Sequence, residues 1–263
     1  MDAVKISAVI ITLNEEKNIQ QCIDSVRDVA DEIVVVDSFS TDRTEEICRK
    51  NGVRFLQHAW PGYGGQKNWG NGQASFDYIL SIDADERLSD ELGKAIRAIK
   101  ENWQYDVYSF NRLTFFHGKP MRYSIYPDRQ LRLFDRRKTQ WKENKVHERL
   151  ITGEGITLKR INKDMLHFAN ESIHELVKTL NDYSSLSAEG GFRPGRKQRV
   201  FKLVFSPAFA FFKTYVLKLG FLDGAFGFVI CVNKAHYRFL KYAKGIELCK
   251  TDKMRRGQEA DRT

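Results

Sequence analysis

The sequence predicts an α/β protein: a mostly parallel sheet flanked by helices, with a C-terminal amphipathic helical extension. Over the first hundred residues, short apolar runs rich in β-branched side chains alternate with helical stretches, which is typical of parallel strands joined by crossover helices. Beyond residue 200, aromatic and basic residues are interleaved at helical spacing. A chain of 263 residues is long enough for one large domain with an appendage.

The first half of the sheet follows from apolar runs. Residues 5–12 (KISAVIIT) are nearly all apolar or β-branched, as expected for a strand buried on both faces. Residues 15–28 have helical spacing, and Asn14 is the expected N-cap. A second buried strand is predicted over residues 32–37, and a short helix over residues 42–51.

The next elements complete the parallel part of the predicted sheet, and antiparallel strands follow. Residues 53–57 and 78–83 form further strands, and Ser89 caps the helix that follows. Residues 106–116 and 130–134 have the character of antiparallel strands.

We place the domain boundary at a basic segment with Gly and Pro that begins at residue 190 (GGFRPGRKQR). This gives a larger domain over residues 1–189 and a basic, aromatic-rich helical extension over residues 190–263. Residues 201–250 contain 12 Phe or Tyr and 8 Lys or Arg against two acids. No uncharged stretch there is long enough for a transmembrane helix. An interfacial helix pair on anionic lipid and an ordinary pair packed on the larger domain both remain open.

The charge is unevenly distributed. The net charge is +9, yet the first hundred residues carry 12 basic and 17 acidic side chains, and the rest carry 31 basic and 17 acidic. A basic surplus suggests an anionic partner such as nucleic acid, a phosphorylated metabolite or a membrane surface. Four scattered cysteines and an N-terminus without signal-peptide character predict a cytoplasmic protein.

Polar residues at strand ends are the candidate ligand site, because open sheets of this kind bind ligands beyond the carboxyl ends of their strands. Asn14 and Glu15 follow the first strand, and Asp37 ends the second. The segment 83–86 (DADE) ends a later strand. Its three acids repel each other unless a cation or a donor network compensates them. A Mg²⁺ or Mn²⁺ site and an acidic helix cap both fit this segment.

Other candidates are less specific. Asp37 suits a nucleotide contact and also suits a helix cap. The Gly-rich stretch at 62–67 lacks a dinucleotide or Walker fingerprint, so we predict a mobile loop whose Lys67 reaches a phosphate or base. Glu148 suits a general base and His167 a metal ligand, although both types of residue commonly have neither role.

An ordered set of motifs covers nearly the whole chain. It comprises VIITLNEEKNI (9–19), ADEIVVVDSFSTDRT (30–44), WPGYGGQKN (60–68), LSIDADE (80–86), RLFDR (132–136), KVHERL (145–150) and GFLDG (220–224). With this set the chain resembles the inverting family 2 glycosyltransferases of the GT-A fold. Among these it is most similar to the bacterial lipopolysaccharide core β-1,4-glucosyltransferases. The resemblance makes residues 1–189 a GT-A catalytic domain.

The resemblance also implies roles for individual residues. Asn14, Glu15 and Asp37 would hold the uridine, with Lys67 near the base or phosphates. Asp83 would contact the ribose and the metal shell. Asp85 would bind Mg²⁺ or Mn²⁺ across the diphosphate, and His167 would complete the metal site.

The base implied by the resemblance is Glu148, which would deprotonate the acceptor hydroxyl. The sequence reads His-Glu here, where Glu-Asp or Asp-Asp is commoner in such enzymes, so Asp128 and Asp135 remain alternative bases.

The function implied is metal-dependent, inverting transfer of a hexose, glucose by resemblance, from a UDP-sugar to the lipopolysaccharide inner core. The partners would be the UDP-sugar, a lipid-linked anionic oligosaccharide (lipid A-core) and the inner face of the inner membrane, where the protein would be peripheral. Transfer to polyprenyl phosphate or another cell-envelope glycan uses the same donor site and is the alternative. A basic nucleic-acid-binding module is a further alternative, but no nucleic acid is expected, because acids cluster where phosphates would approach.

Overall fold

The computed structural model describes residues 3–142, 149–170, 172–192 and 200–260. Its strands are β1 (Ile6–Thr12), β2 (Glu32–Asp37), β3 (Arg54–Gln57), β4 (Tyr78–Asp83), β5 (Glu86–Leu88), β6 (Val107–Phe116), β7 (Lys119–Pro120), β8 (Asp128–Asp135), β9 (Trp141–Lys142), β10 (Arg149–Leu150) and β11 (Leu158–Asn170). Its α-helices are α1 (Ile19–Val26), α2 (Thr44–Lys50), α3 (Tyr63–Gln73), α4 (Asp90–Glu101), α5 (Ile173–Gly191), α6 (Phe201–Phe211) and α7 (Gly224–Ala260).

The main sheet has the strand order β3-β2-β1-β4-β8-β6-β11-β5. Strands β3, β2, β1 and β4 are parallel, while β8 runs antiparallel to both β4 and β6. Helices α1 to α4 connect or follow the parallel strands in sequence. The predicted α/β class, with a mostly parallel sheet, flanking helices and a helical C-terminal part, is confirmed.

Strand β1 lies at the centre of the parallel half and is buried on both faces, as its sequence predicts. Its alternate residues Ala8 and Ile10 belong to a core cluster with the inward face of α1, including Ile19 and Ile23. Val9 and Ile11 belong to a second cluster with Val34 and Val36 of β2. The two clusters occupy opposite faces because successive side chains of a strand point in opposite directions.

Two local predictions are wrong. Helix α1 begins at Ile19 with Asn18 at the N-cap position, so Asn14 does not cap it; Asn14 instead lies in the left-handed region with φ +54°. The Gly-rich stretch expected as a mobile loop is the start of helix α3. Helix α3 packs closely on the sheet: a Cβ at Gly70 would lie 2.7 Å from Cγ1 of Val9 and 2.8 Å from Cγ2 of Val36. The absence of a side chain permits this approach.

The residues divide into two compact units. The first comprises residues up to Phe115 together with Tyr126–Ala169, and the second comprises Phe116–Ile125 together with the described residues from Asn170 onward. The expected boundary at residues 189 and 190 lies near the end of α5, within the second unit. The assignment of a catalytic domain to 1–189 and an extension to 190–263 stays a prediction.

The second unit is helical. Ser172 and Glu175 form a capping box at the start of α5. Asp223 accepts hydrogen bonds from the backbone N–H groups of Arg122, Tyr123 and Ser124, at 2.8–3.3 Å, and so holds this loop beside the start of α7. No single helix in the described ranges is long and apolar enough to span a membrane. One pair bent by 73°, Phe201–Leu217 with Gly220–Met254, meets that test of length and composition.

Candidate active site

The candidate residues of the first unit meet at the carboxyl edge of the parallel strands. Thr12 at the end of β1 is in register with Asp37 at the end of β2, and Ile11 is in register with Asp83 at the end of β4. Asn14 follows β1 after one intervening residue. This edge therefore brings together the three strand ends that the sequence identified as ligand-binding candidates.

Asp83 is held between two cations. Its Oδ1 lies 3.0 Å from Nζ of Lys67, and its Oδ2 lies 2.7 Å from Nη2 of Arg132. Burial acts to raise the pKa of Asp83, but the two cations outweigh it and hold the pKa well below its usual range. Asp83 is therefore a fixed carboxylate. Of the three acids in residues 83–86, Asp83 is thus compensated by the protein donors Lys67 and Arg132.

Asp85 and His167 form the other part of the site. Oδ2 of Asp85 lies 3.4 Å from Nε2 of His167, and the backbone N–H of Phe168 donates to the carbonyl oxygen of Asp85 at 2.9 Å. The contact arises because β11 pairs with β5, which follows the acidic turn immediately. Two residues 82 positions apart in the sequence, both expected at a metal, are thus neighbours.

The donor set of Asp85 and His167 fits a divalent cation. Nδ1 of His167 lies 3.1 Å from Oγ1 of Thr114, an outer contact that orients the ring and leaves Nε2 toward Asp85. In the described part of the chain, no group of three or more His, Cys, Asp or Glu gathers as a complete metal site. A cation here would take its remaining ligands from water and a substrate diphosphate, as Mg²⁺ commonly does.

Glu15 lies in the same electrostatic environment. Burial is the largest effect on its carboxyl, and the neighbouring charges of Asp85 and Asp42 add to it, although Asn18 donates a stabilising hydrogen bond at 2.9 Å. Together they raise the pKa of Glu15 to about 7. The carboxyl is therefore half-protonated near neutral pH and able both to donate and to accept a hydrogen bond.

Asn14 and Asp37 shape the turn after β2. Oδ1 of Asn14 accepts from the backbone N–H of Thr41 at 2.8 Å, and the backbone N–H of Asn14 donates to Oγ of Ser40 at 2.7 Å. Asp37 is fully buried, and its carboxylate accepts from Ser40 and from Nε2 of Gln57. Helix α2 begins at Thr44, so Asp37 does not cap it, and its carboxylate closes the turn at Ser40 instead. A direct contact with uridine, which stays a prediction, would require an exchange of these bonds.

Lys67 lies on helix α3 and not in the expected mobile loop, and its contact with a base or phosphate stays a prediction. It is fully buried, and its Nζ sits 4.7 Å from the ring centroid of Trp141 as well as beside Asp83. Its charge is therefore committed to the Asp83 carboxylate at the site edge.

The candidate bases separate by position. Glu148 lies outside the described residues. Asp135 pairs with Tyr78, the first residue of β4, so it lies at the opposite edge of the sheet from Asp83. It is also bound by Arg137 at 2.7 Å. Asp128 begins β8, on the side of the sheet where β4 ends, but Nη2 of Arg112 lies 2.6 Å from its Oδ2. Position thus disfavours Asp135 as the alternative base.

Two arginines of the site, Arg132 and Arg112, were missed from sequence, and Glu86 was recognised only as one of three neighbouring acids. Arg132, Glu86 and Arg112 connect Asp83 to Asp128 through ion pairs. A signal was present, because Arg132 stands between two leucines in a strand that reads QLRLF, and a charge at such a position needs a buried partner. Its partner could not be named from sequence, since Asp83 is 49 residues away.

Comparison with known proteins identifies the family. Residues 7–159 match the family model described as glycosyl transferase family 2. The chain is 33% identical over 251 residues to the lipopolysaccharide core biosynthesis glycosyltransferase LpsC of Rhizobium meliloti, covering 91% of each chain. It is 32% identical over 255 residues to an uncharacterized glycosyltransferase of Rickettsia typhi, covering 93% of this chain and 87% of the relative.

Among solved structures, the chain is similar to S. aureus TarS 1-349 in complex with UDP-GlcNAc, with a TM-score of 0.49 and 16% identity over 97% of this chain and 92% of that one. The family match spans more than half of the sequence and includes the ends of β1, β2 and β4, where most of the candidate site lies. The relatives match it over nine-tenths of its length. On these grounds the chain belongs to glycosyl transferase family 2 and is a glycosyltransferase.

Proposed function

We propose that this protein catalyses metal-dependent, inverting transfer of a hexose, glucose by its sequence resemblance, from a UDP-sugar to the lipopolysaccharide inner core. The observation that carries the donor half is the Asp85–His167 pair at the carboxyl edge of the parallel strands, 3.4 Å apart beside a fixed Asp83. The name of the R. meliloti relative, a lipopolysaccharide core biosynthesis glycosyltransferase, supports the acceptor half.

The residues divide the work of donor binding. Asn14, Glu15 and Asp37 would face the uridine from the turns after β1 and β2. Asp83, held ionised by Lys67 and Arg132, would accept from the ribose hydroxyls. When bound at Asp85 and His167, a divalent cation would supply charge neutralisation for the departing diphosphate.

Inversion requires one in-line displacement at the anomeric carbon. The acceptor hydroxyl attacks that carbon, the bond to the UDP oxygen breaks with its electron pair, and a carboxylate removes the hydroxyl proton. We assign this proton transfer to Glu148, with Asp128 as the alternative. No covalent enzyme intermediate is needed, so no activated Ser or Cys is required.

We further propose that the protein meets its lipid-linked acceptor as a peripheral protein on the inner face of the inner membrane. Helix α6 and the turns after it expose an apolar surface, which we call the α6 surface (Phe201, Val204, Phe205, Phe209, Phe212 and Leu217). These side chains are 49–67% exposed. Spacing of three and four residues aligns those on α6 along one helix face.

Charge favours an anionic lipid surface as the partner of the α6 surface. Residues 200–222 contain Lys202, Lys213 and Lys218 and no acid. Apolar side chains flanked by lysines match an interface in which rings enter the headgroup boundary and ammonium groups meet lipid phosphates.

The donor site is tested by calorimetric titration of UDP in the presence and absence of Mn²⁺. Asp85→Asn removes one charged ligand, so we expect the Mn²⁺-dependent gain in UDP affinity to disappear. Glu148→Gln is the matched comparison, in which UDP binding stays normal while transfer to acceptor collapses. Normal Mn²⁺-dependent affinity in Asp85→Asn would refute the metal assignment, and near-normal turnover in Glu148→Gln would move the base elsewhere.

The substrates are tested by a transfer screen of UDP-sugars with Mn²⁺ and extracted, truncated lipopolysaccharide. Label from UDP-glucose in the lipid A-core fraction is the expected result. Label in a lipid-phosphate fraction prepared with added polyprenyl phosphate, and none in lipid A-core, would replace the proposed acceptor with the alternative one.

A further inference from the structure

A chain of alternating charges runs through the first unit beneath the candidate donor site. Its links are Lys67 to Asp83 at 3.0 Å, Asp83 to Arg132 at 2.7 Å, Arg132 to Glu86 at 2.6 Å, Glu86 to Arg112 at 3.4 Å and Arg112 to Asp128 at 2.6 Å. Three cations face three carboxylates, so the network carries no formal net charge.

Glu86 is the centre of this network. Its side chain is fully buried, and its Oε1 accepts from both Arg132 and Arg112. Its other oxygen, Oε2, accepts from the backbone N–H of Asp83 at 3.0 Å. One carboxylate therefore closes the turn from residue 83 to residue 86 and anchors it to two arginines on neighbouring strands.

The backbone of Glu86 contributes a second restraint. Glu86 begins β5, where it is in register with His167 of β11. Asp85 lies inside the closed turn and immediately before this strand pair. Its backbone is thus restrained on both sides. Its position opposite His167 depends on the turn that Glu86 holds.

We propose that Glu86 is a positioning residue of the donor site: its buried carboxylate holds the 83–86 turn so that Asp85 faces His167. The inference rests on the proposed function, because it takes these two side chains as the ligands of the cation. Glu86 itself contacts neither the cation nor the nucleotide. It acts through the backbone of Asp83 and through Arg132.

The substitution Glu86→Gln isolates this role because it keeps the volume of the side chain. An amide has one acceptor oxygen instead of two, and its NH₂ group would oppose an arginine or the Asp83 N–H. Arg132 and Arg112 would also face each other without the intervening charge. Mutation of a residue that orients a metal ligand typically lowers metal affinity by about 10–100-fold.

The test is the same titration of UDP with and without Mn²⁺, joined to a thermal melt of each variant. We expect Glu86→Gln to weaken Mn²⁺-dependent UDP affinity by about tenfold or more. Glu32→Gln is the matched control. Glu32 also accepts several hydrogen bonds, from Ser7, Ser75 and Arg54, but it begins β2 at the opposite edge of the sheet. Its substitution should leave the affinity unchanged, whatever it does to the melting temperature.

Each outcome decides the inference. If Glu86→Gln and Glu32→Gln have the same Mn²⁺-dependent UDP affinity, the role proposed for Glu86 is overturned. If Glu86→Gln does not fold, Arg112→Gln replaces it, since this arginine is a quarter exposed and its loss removes one anchor of Glu86. Unchanged affinity in that folded variant then overturns the inference. The Asp85→Asn variant separates the two proposals. Normal Mn²⁺-dependent UDP affinity in Asp85→Asn would refute the metal site itself. Loss of this affinity in Asp85→Asn, with normal affinity in Glu86→Gln, would refute only the role of Glu86.

Discussion

At the scale of single residues, the site contains one carboxylate, Asp83, that cations hold ionised and another, Glu15, whose pKa lies near neutrality. Asp83 is kept ionised by Arg132 and Lys67, despite burial that opposes its charge. Among the described residues, Glu15 lacks comparable ion pairs: burial and the charges of Asp85 and Asp42 outweigh the opposing effects of Asn18 and His167 and raise its pKa to about 7. The difference follows from the partners of each group, since burial acts to raise the pKa of both carboxyls.

The raised pKa of Glu15 predicts a pH-dependent stability of the protein without metal or nucleotide. The unfolded carboxyl titrates at its usual 4.5 and the folded one at about 7, so the folded state binds the extra proton between these values. The free energy of unfolding therefore falls as pH rises through this window. We expect Glu15→Gln to flatten the fall measured by thermal melts from pH 5 to pH 8.

Glu16→Gln is the control for this prediction. The exposed Arg43 bonds to Glu16 and lowers the pKa of its carboxyl, so its contribution is present above pH 4.5 and lost only on acidification. Glu16→Gln should not alter the fall in stability that thermal melts measure between pH 5 and pH 8. A slope in Glu15→Gln equal to that of the unaltered protein would contradict the assignment.

At the scale of secondary-structure elements, helix α3 shows how packing overrides propensity. Its sequence, YGGQKNWGNGQ, contains four glycines, which disfavour helix formation. The helix nevertheless forms, because Gly70 permits close contact with β1 and β2 and Asn68 exchanges two hydrogen bonds with the backbone of Trp141. The helix in turn places Lys67 against Asp83.

Substitution of glycines in α3 provides a paired test. Gly70→Ala would force a methyl group against Val9 and Val36, and we expect a loss of about 1–3 kcal/mol from the free energy of unfolding. Gly72→Ala, on the same helix with no atom within 4 Å of its new methyl, should instead raise stability by up to about 1 kcal/mol. Chemical denaturation of both variants gives the two values. A loss of similar size in both would show that close packing at Gly70 is not the cause.

At the scale of the whole molecule, the uneven charge corresponds to two proposed uses. The net charge of +9 conceals an acidic first hundred residues, which contain most of the candidate donor site, and a strongly basic remainder. In the second unit, the α6 surface combines exposed rings with lysines and no acid over residues 200–222. The basic surplus is therefore available for phosphorylated acceptor and anionic lipid.

The α6 surface predicts binding to anionic vesicles by the full chain. Co-sedimentation should be stronger with vesicles of phosphatidylcholine and phosphatidylglycerol than with phosphatidylcholine alone, and it should weaken as salt is raised. Replacement of Phe205 and Phe209 by Ser should reduce binding by about tenfold or more, because each buried ring contributes apolar area.

The control for this prediction replaces Ile151 and Leu158, two exposed apolar residues of the first unit, by Ser. This double variant should bind vesicles normally. Equal binding by the two double variants would contradict a lipid role. A dimer of the unaltered chain that becomes a monomer only in the Phe205 and Phe209 variant would instead make a second copy the partner of the α6 surface.

Sequence patterns predicted most of the elements. The bounds of β2 and β4 agree residue for residue, because short, mostly apolar runs that end in an aspartate are a local signal. Ser89 caps α4 as expected, since a cap is a contact between residues three apart. The prediction was wrong at α3 and at Asn14, where contacts with distant residues determine the backbone.

For this protein, the sequence by itself determined the α/β class, the strand ends that carry the candidate site and, through its ordered motifs, the glycosyltransferase family. The class and the strand ends are encoded in periodicity and in spacing within single segments, whereas the family was identified from the resemblance of ordered motifs spread along the chain. Only the tertiary structure decided which acids of residues 83–86 are compensated. Arg132 pairs with both Asp83 and Glu86, while Asp85 is left facing His167. The physical reason is that these partners come from β8 and β11, and strand pairing across long sequence separations brings them together.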